Sequence, residues 1–230
     1  GVSLDPFVNY EFPSISSTNG AKKVLILGNS FVNSSRISSF LNSMFAKKGY
    51  VAVPIGISMA NVATFVNETE ILGYIRNGDF SYVFQCGYFN GSSILESLEV
   101  IKSACDASNT KLVVFPAHNE HTLAIELAKS RYPDAIFLDW KGEIDGLIKK
   151  GVPDEEFCEN DDVRHSKALA GYVGAHMIYR NMFGELPPDI SGCTLTQAQV
   201  DALLGNYSDT LTKGKNPSRP TLSGDVYGIN

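Results

Sequence analysis

Short, continuously apolar runs alternate along this chain with longer stretches in which apolar residues recur every three or four positions. Lys23-Val24-Leu25-Ile26-Leu27-Gly28 opens the series and is closed by glycine. A run this short, with no polar alternation, predicts a strand covered on both faces. After Asn29-Ser30, the residues Ile37, Phe40, Leu41, Met44 and Phe45 fall at i, i+3, i+4, i+7 and i+8, and Lys47-Lys48-Gly49 follows. This spacing predicts a helix with a basic last turn and a glycine stop.

The alternation then repeats. Further strands are predicted at 50–55, 82–86, 111–115 and 135–138, and further helices at 60–76, 94–104, 123–131, 143–150 and 167–183. Together they predict an α/β domain: a three-layer α/β/α sandwich around a five-stranded parallel sheet, with right-handed crossovers. Residues 1–21 read as a lead-in segment and 22–184 as the domain. Pro187-Pro188 blocks further helix. Thr194 and Gln197 have the spacing of a capping box, predicting a short helix over 195–204 that stops at Gly205. Residues 185–230 as a whole read as a C-terminal extension packed on the domain.

Composition narrows the class. The chain has 230 residues, 43% hydrophobic and 19% charged, which suits one globular α/β domain and not disorder. Net charge is −6 and no Lys/Arg cluster stands out, so no nucleic-acid partner is expected. No apolar run approaches the roughly 20 residues of a membrane span, so no membrane partner is expected either. Gly1 to Gly20 lacks the charged and apolar regions of a signal peptide, which leaves room for one removed earlier. Cys86, Cys105, Cys158 and Cys193 form no CxxC pair, so a structural zinc site is not expected and buried free thiols are. Their spacing selects no disulfide.

In an open parallel sheet, ligands bind beyond the carboxyl ends of the strands. Gly28-Asn29-Ser30 follows the first strand. A serine there presents its hydroxyl at the active edge, and its N–H belongs to a helix start, where amides lack internal partners. The plain alternative is that Ser30 only caps the helix. Far downstream, Asp161-Asp162-Val163-Arg164-His165 precedes the last helix. The D-x-x-H spacing of Asp162 and His165 lets one turn bring a carboxylate to Nδ1, leaving Nε2 to accept a proton from serine. The alternative is a surface loop with an unremarkable Asp and His.

G-x-S after the first strand and D-x-x-H before the last helix, in that order, resemble the SGNH/GDSL hydrolases. The stretch Asp162-Val163-Arg164-His165-Ser166-Lys167-Ala168-Leu169-Ala170-Gly171-Tyr172 is similar to the closing segment of that superfamily, and the resemblance covers roughly residues 22–184. It implies a flavodoxin-like sheet, a Ser30–His165–Asp162 triad, and no metal or organic cofactor. Three departures stand out. Asn29 replaces the usual Asp before the serine, Ser166 replaces a common Pro after the histidine, and Met59 falls where a Gly normally donates its N–H to an oxyanion hole. The third motif, G-x-N-D, is represented by Gly87-Tyr88-Phe89-Asn90, with Asn one position late. The resemblance thus implies an oxyanion hole from the N–H groups of Ser30 and Met59 and a side-chain amide, with Asn90 the first candidate and Gln85 the substitute.

Tyr88, Phe89, His118 and Trp140 are candidate substrate contacts, and His176 reads as a packing residue. Pro116-Ala117-His118-Asn119-Glu120-His121 does not match H-E-x-x-H spacing, so a metal site is not expected there. The expected function is a serine esterase removing an O-acyl group, O-acetyl first, from a carbohydrate. The runner-up is a catalytically weakened module that binds glycan, and acyl transfer would use the same residues. A monomeric, secreted bacterial protein is expected.

Overall fold

A computed structural model describes residues 20–57, 64–65, 69–77, 80–87, 94–118 and 123–188. The expected lead-in and nearly all of the C-terminal extension, including the helix expected at 195–204, lie outside these residues.

The fold is α/β. Strands β1 (Lys22–Gly28), β2 (Tyr50–Gly56), β3 (Phe80–Gln85), β4 (Lys111–Val114) and β5 (Ile136–Phe137) form one sheet in the order β2-β1-β3-β4-β5. Every pairing is parallel. The described helices are α1 (Ser30–Ser34), α2 (Ile37–Met44), α3 (Thr69–Asn77), α4 (Ile94–Ala107), α5 (Leu123–Arg131), α6 (Trp140–Lys149) and α7 (Ala168–Phe183).

Two buried clusters, one on each sheet face, explain the continuous apolar runs. In β1, Val24 and Ile26 pack with α2, α6 and α7 through Leu41, Ile144 and Val173. Leu25 and Leu27 point the other way and pack with Ile71, Ile75, Leu98 and Ile101 of α3 and α4. A strand whose side chains alternate between two buried layers has no polar face to show. This is the three-layer sandwich expected from the sequence.

The last helix seats itself through a close approach. A Cβ at Gly171 would lie 1.8 Å from the carbonyl oxygen of Ser35, so only glycine lets α7 come this near the α1–α2 junction. Trp140 donates its indole N–H to the Ala170 carbonyl at 2.9 Å, tying α6 to the start of α7. Between these helices Arg180 and Glu143 make a buried ion pair at 2.6 Å. No helix among the described residues is long and apolar enough to cross a membrane.

Sheet order fixes where chemistry belongs. The chain runs from β1 outward to β2, then returns past β1 to β3. Crossovers therefore leave in opposite directions from the two neighbours β1 and β3. The crevice beyond their carboxyl ends is the usual ligand position in such sheets. Gly28 ends β1 and Gln85 ends β3 at that rim.

Candidate active site

Ser30 begins α1 directly at the rim. Asn29 is extended at φ −102° and ψ −162°, and its Oδ1 accepts the N–H of Phe31 at 3.1 Å. This is an N-cap, and an aspartate would cap in the same way, so the Asn29 departure leaves the turn geometry in place. Gly28 makes the turn possible. A Cβ there would sit 2.2 Å from Val32 Cγ2 and 2.4 Å from the Cys86 carbonyl oxygen. Five residues cannot announce themselves by helical period, which is why α1 escapes the hydrophobic pattern.

The structure brings Ser30 and His165 together across the chain. Ser30 Oγ lies 3.0 Å from His165 Nε2. On the other side of the ring, Nδ1 lies 2.7 Å from Asp161 Oδ2. A carboxylate accepts only, so it holds the proton on Nδ1 and leaves Nε2 to accept from the serine hydroxyl. These three groups form a serine–imidazole–carboxylate relay.

The carboxylate is a correction to the sequence expectation. Asp161, not Asp162, faces Nδ1. Arg164 adopts the left-handed region at φ 54°, and its N–H donates to the Asp161 carbonyl at 3.2 Å. The turn is one residue longer than D-x-x-H assumes. His165 is swung back over Asp161, whose Oδ1 also accepts the His165 backbone N–H at 3.0 Å. Both carboxylate oxygens thus serve one histidine. Its side-chain and backbone hydrogen bonds to His165 hold the Asp161 carboxyl below its usual range. Only the Asp-Asp doublet could have raised Asp161 as a candidate from sequence.

The loop carrying His165 is anchored on both flanks. Glu159 N–H donates to the His165 carbonyl at 2.8 Å, and Lys167 N–H to the Phe157 carbonyl at 2.8 Å. Arg164 makes an ion pair with Asp154. Phe31, fully buried and next to Ser30, sets its ring edge-on to His165, with centroids 5.5 Å apart.

His118 is not placed as a substrate contact. It is 4% exposed, with Nε2 2.7 Å from Ser166 Oγ and Nδ1 3.8 Å from Cys158 Sγ. Burial, followed by the nearby Arg164 charge, lowers its pKa to about 4. Trp140 is likewise core: it is 1% exposed, and its indole stacks on Phe115 at 5.1 Å. An indole with a satisfied N–H and both faces covered has nothing to offer a sugar. His176 is 2% exposed in the middle of α7, and burial pushes its pKa well down. Cys86, Cys105 and Cys158 are buried free thiols.

Among the oxyanion candidates, Ser30 and Gln85 are described, while Met59 and Asn90 lie outside the described residues, as do Tyr88, Phe89 and Cys193. Gln85 pairs in register with Leu27 of β1, one residue before Gly28. Its side chain is fully buried, and neither Oε1 nor Nε2 has a hydrogen-bond partner among the described residues. Asn29 Nδ2 is also buried with no partner among the described residues. An unpaired buried amide costs about 1–3 kcal/mol, so each such group calls for a physical reason. No family model matches the chain, and no curated protein matches it.

Proposed function

We propose that the protein is a serine esterase of SGNH/GDSL type that hydrolyses an O-acyl ester, O-acetyl on a carbohydrate being the first candidate. The observation that carries this reading is the Ser30–His165–Asp161 relay at the carboxyl edge of β1, beside the topological switch point.

Each residue has one task. Ser30 Oγ attacks the ester carbonyl carbon while its proton passes to His165 Nε2. Asp161 stabilises the imidazolium so formed and keeps the ring in its useful tautomer. The oxyanion is held by the Ser30 N–H and a side-chain amide, for which Gln85 has free donor capacity; the Met59 N–H and Asn90 complete the candidate set. The carbon–oxygen bond to the alcohol then breaks, and His165 returns its proton to the departing oxygen. Water attacks the acyl-serine, giving a proton to His165. Ser30 leaves and recovers that proton, releasing the carboxylic acid. No metal or organic cofactor takes part.

The carbohydrate half of the proposal rests on the closing segment's resemblance to carbohydrate esterases and on Tyr88 and Phe89 as sugar contacts. A monomeric, secreted enzyme fits it best. The test is acetate release from acetylated xylan, mannan and pectin, with p-nitrophenyl acetate as a generic ester, using wild type and Ser30→Ala. Hydrolysis that vanishes in Ser30→Ala supports the reading. Equal rates in both remove Ser30 from the nucleophile role.

A further inference from the structure

We propose that His118 and Ser166 form a clamp that positions the His165 imidazole for proton exchange with Ser30, which makes both of them positioning residues of the reaction. The inference rests on the esterase reading but concerns residues that the relay itself does not use.

The geometry is a closed circuit. Ser30 and Phe31 are neighbours in sequence, as are His165 and Ser166. Ser30 meets His165 at 3.0 Å, and Ser166 meets His118 at 2.7 Å. Phe31 closes the ring of contacts, with its centroid 5.5 Å from His165 and 5.6 Å from His118. His118 in turn stands edge-on to Trp140, at 4.9 Å and 77°. Trp140 belongs to the core and cannot move freely.

Burial separates this pair from the relay. His118 and Ser166 are 4% and 1% exposed, whereas the His165 and Asp161 side chains are 32% and 42% exposed. An imidazole on a partly exposed loop needs a fixed support, because small misplacements of a proton acceptor are costly. Ser166 supplies that support one residue away from the ring. It is also the antiparallel bridge partner of Cys158, whose Sγ faces His118 Nδ1 at 3.8 Å. The His118 side chain thus contacts both residues of the bridge that closes the loop presenting His165.

The experiment compares Ser166→Ala, Ser166→Thr, His118→Phe and His118→Gln in p-nitrophenyl acetate hydrolysis, with thermal melts to confirm folding. Ser166→Ala and His118→Phe are expected to lower kcat about 10- to 100-fold with KM unchanged. Their double mutant is expected to lose little more than either alone. Ser166→Thr and His118→Gln, which keep a hydrogen-bonding atom in place, are expected to recover most of the loss. Ser166→Cys fills the same space with a poor donor and replaces Ser166→Ala if the latter melts below the assay temperature. Nitrogen NMR of His165 gives a readout that needs no turnover. Wild type is expected to hold one tautomer, protonated on Nδ1, and Ser166→Ala a mixture. A folded Ser166→Ala with wild-type kcat and an unchanged tautomer overturns the clamp. A wild type that hydrolyses no ester sinks the esterase reading instead, and the spectra still decide whether the clamp orders His165.

Discussion

The sharpest test at the residue scale is the choice between two adjacent aspartates. Asp161→Asn is expected to cut kcat by about 10³- to 10⁴-fold, because an amide at Nδ1 permits the wrong tautomer. Asp162→Asn is expected to leave kcat within a few-fold of wild type. Steady-state kinetics on the two variants separates them, and the reverse ranking would return the role to Asp162. The sequence pointed one position away because D-x-x-H assumes a turn of ordinary backbone. The left-handed conformation of Arg164, at φ 54°, lengthens that turn, and nothing about an arginine in sequence announces it. Ser30 and His165 are legible only together, through G-x-S after the first strand and D-x-x-H before the last helix in the order on which the family resemblance rests. His118 is legible as a loop histidine, but its burial against Ser166 and Cys158 is not. Its protonation gives a second prediction. In the fold its pKa is lowered to about 4 from an ordinary 6.5, so the unfolded chain binds the extra proton first. Stability from neutral His118 is therefore fully present above about pH 6.5 and is lost as pH falls towards 4. The loss is on the order of 3 kcal/mol. Denaturant titrations of wild type and His118→Gln across this range should show the variant with the flatter acid slope. Equal slopes would contradict it, once the parallel and unchanged contribution of buried His176 is allowed for.

At the scale of elements, the strands are legible to within two residues because their apolar runs feed the two buried layers. The helices were read where their apolar stripe is long. α1, too short to carry a period, is legible only as a helix start at Ser30, and α6 begins at Trp140, three residues before the predicted start, because Asp139 caps it by accepting the Gly142 N–H at 2.9 Å. The expected helix at 60–76 is described over Thr69–Asn77 and residues 64–65. What no hydrophobic pattern could show is the ion pair between α6 and α7. Arg180 and Glu143 meet at 2.6 Å with side chains 2% and 0% exposed. Glu143→Ala leaves a guanidinium in the core without its carboxylate and is expected to cost about 3–5 kcal/mol. The measurement is a urea midpoint. Because the pair lies away from the relay, the folded fraction should keep its kcat. A loss under 1 kcal/mol would mean that water reaches the site and relieves the charge.

For the whole molecule, sheet order matters more than any one contact. The order β2-β1-β3-β4-β5 places the ends of β1 and β3 side by side and turns two distant segments of sequence into one rim. The alternation of apolar runs predicts a parallel sheet, and ligand placement at strand ends then points to Ser30, whereas Gln85 enters only through the family resemblance. Aromatic candidates for sugar contact did not follow from the same logic. His118 and Trp140 proved to be buried, because an aromatic residue near a strand end serves the core as readily as the surface. The central claim is that Ser30 is an activated nucleophile, and the most direct measurement is reaction with a fluorophosphonate probe followed by peptide mass mapping. Covalent modification is predicted on Ser30 alone, slowed in Asp161→Asn and absent in Ser30→Ala. A folded wild type that stays unlabelled, or a Ser30→Ala variant labelled as fast as wild type, would contradict it.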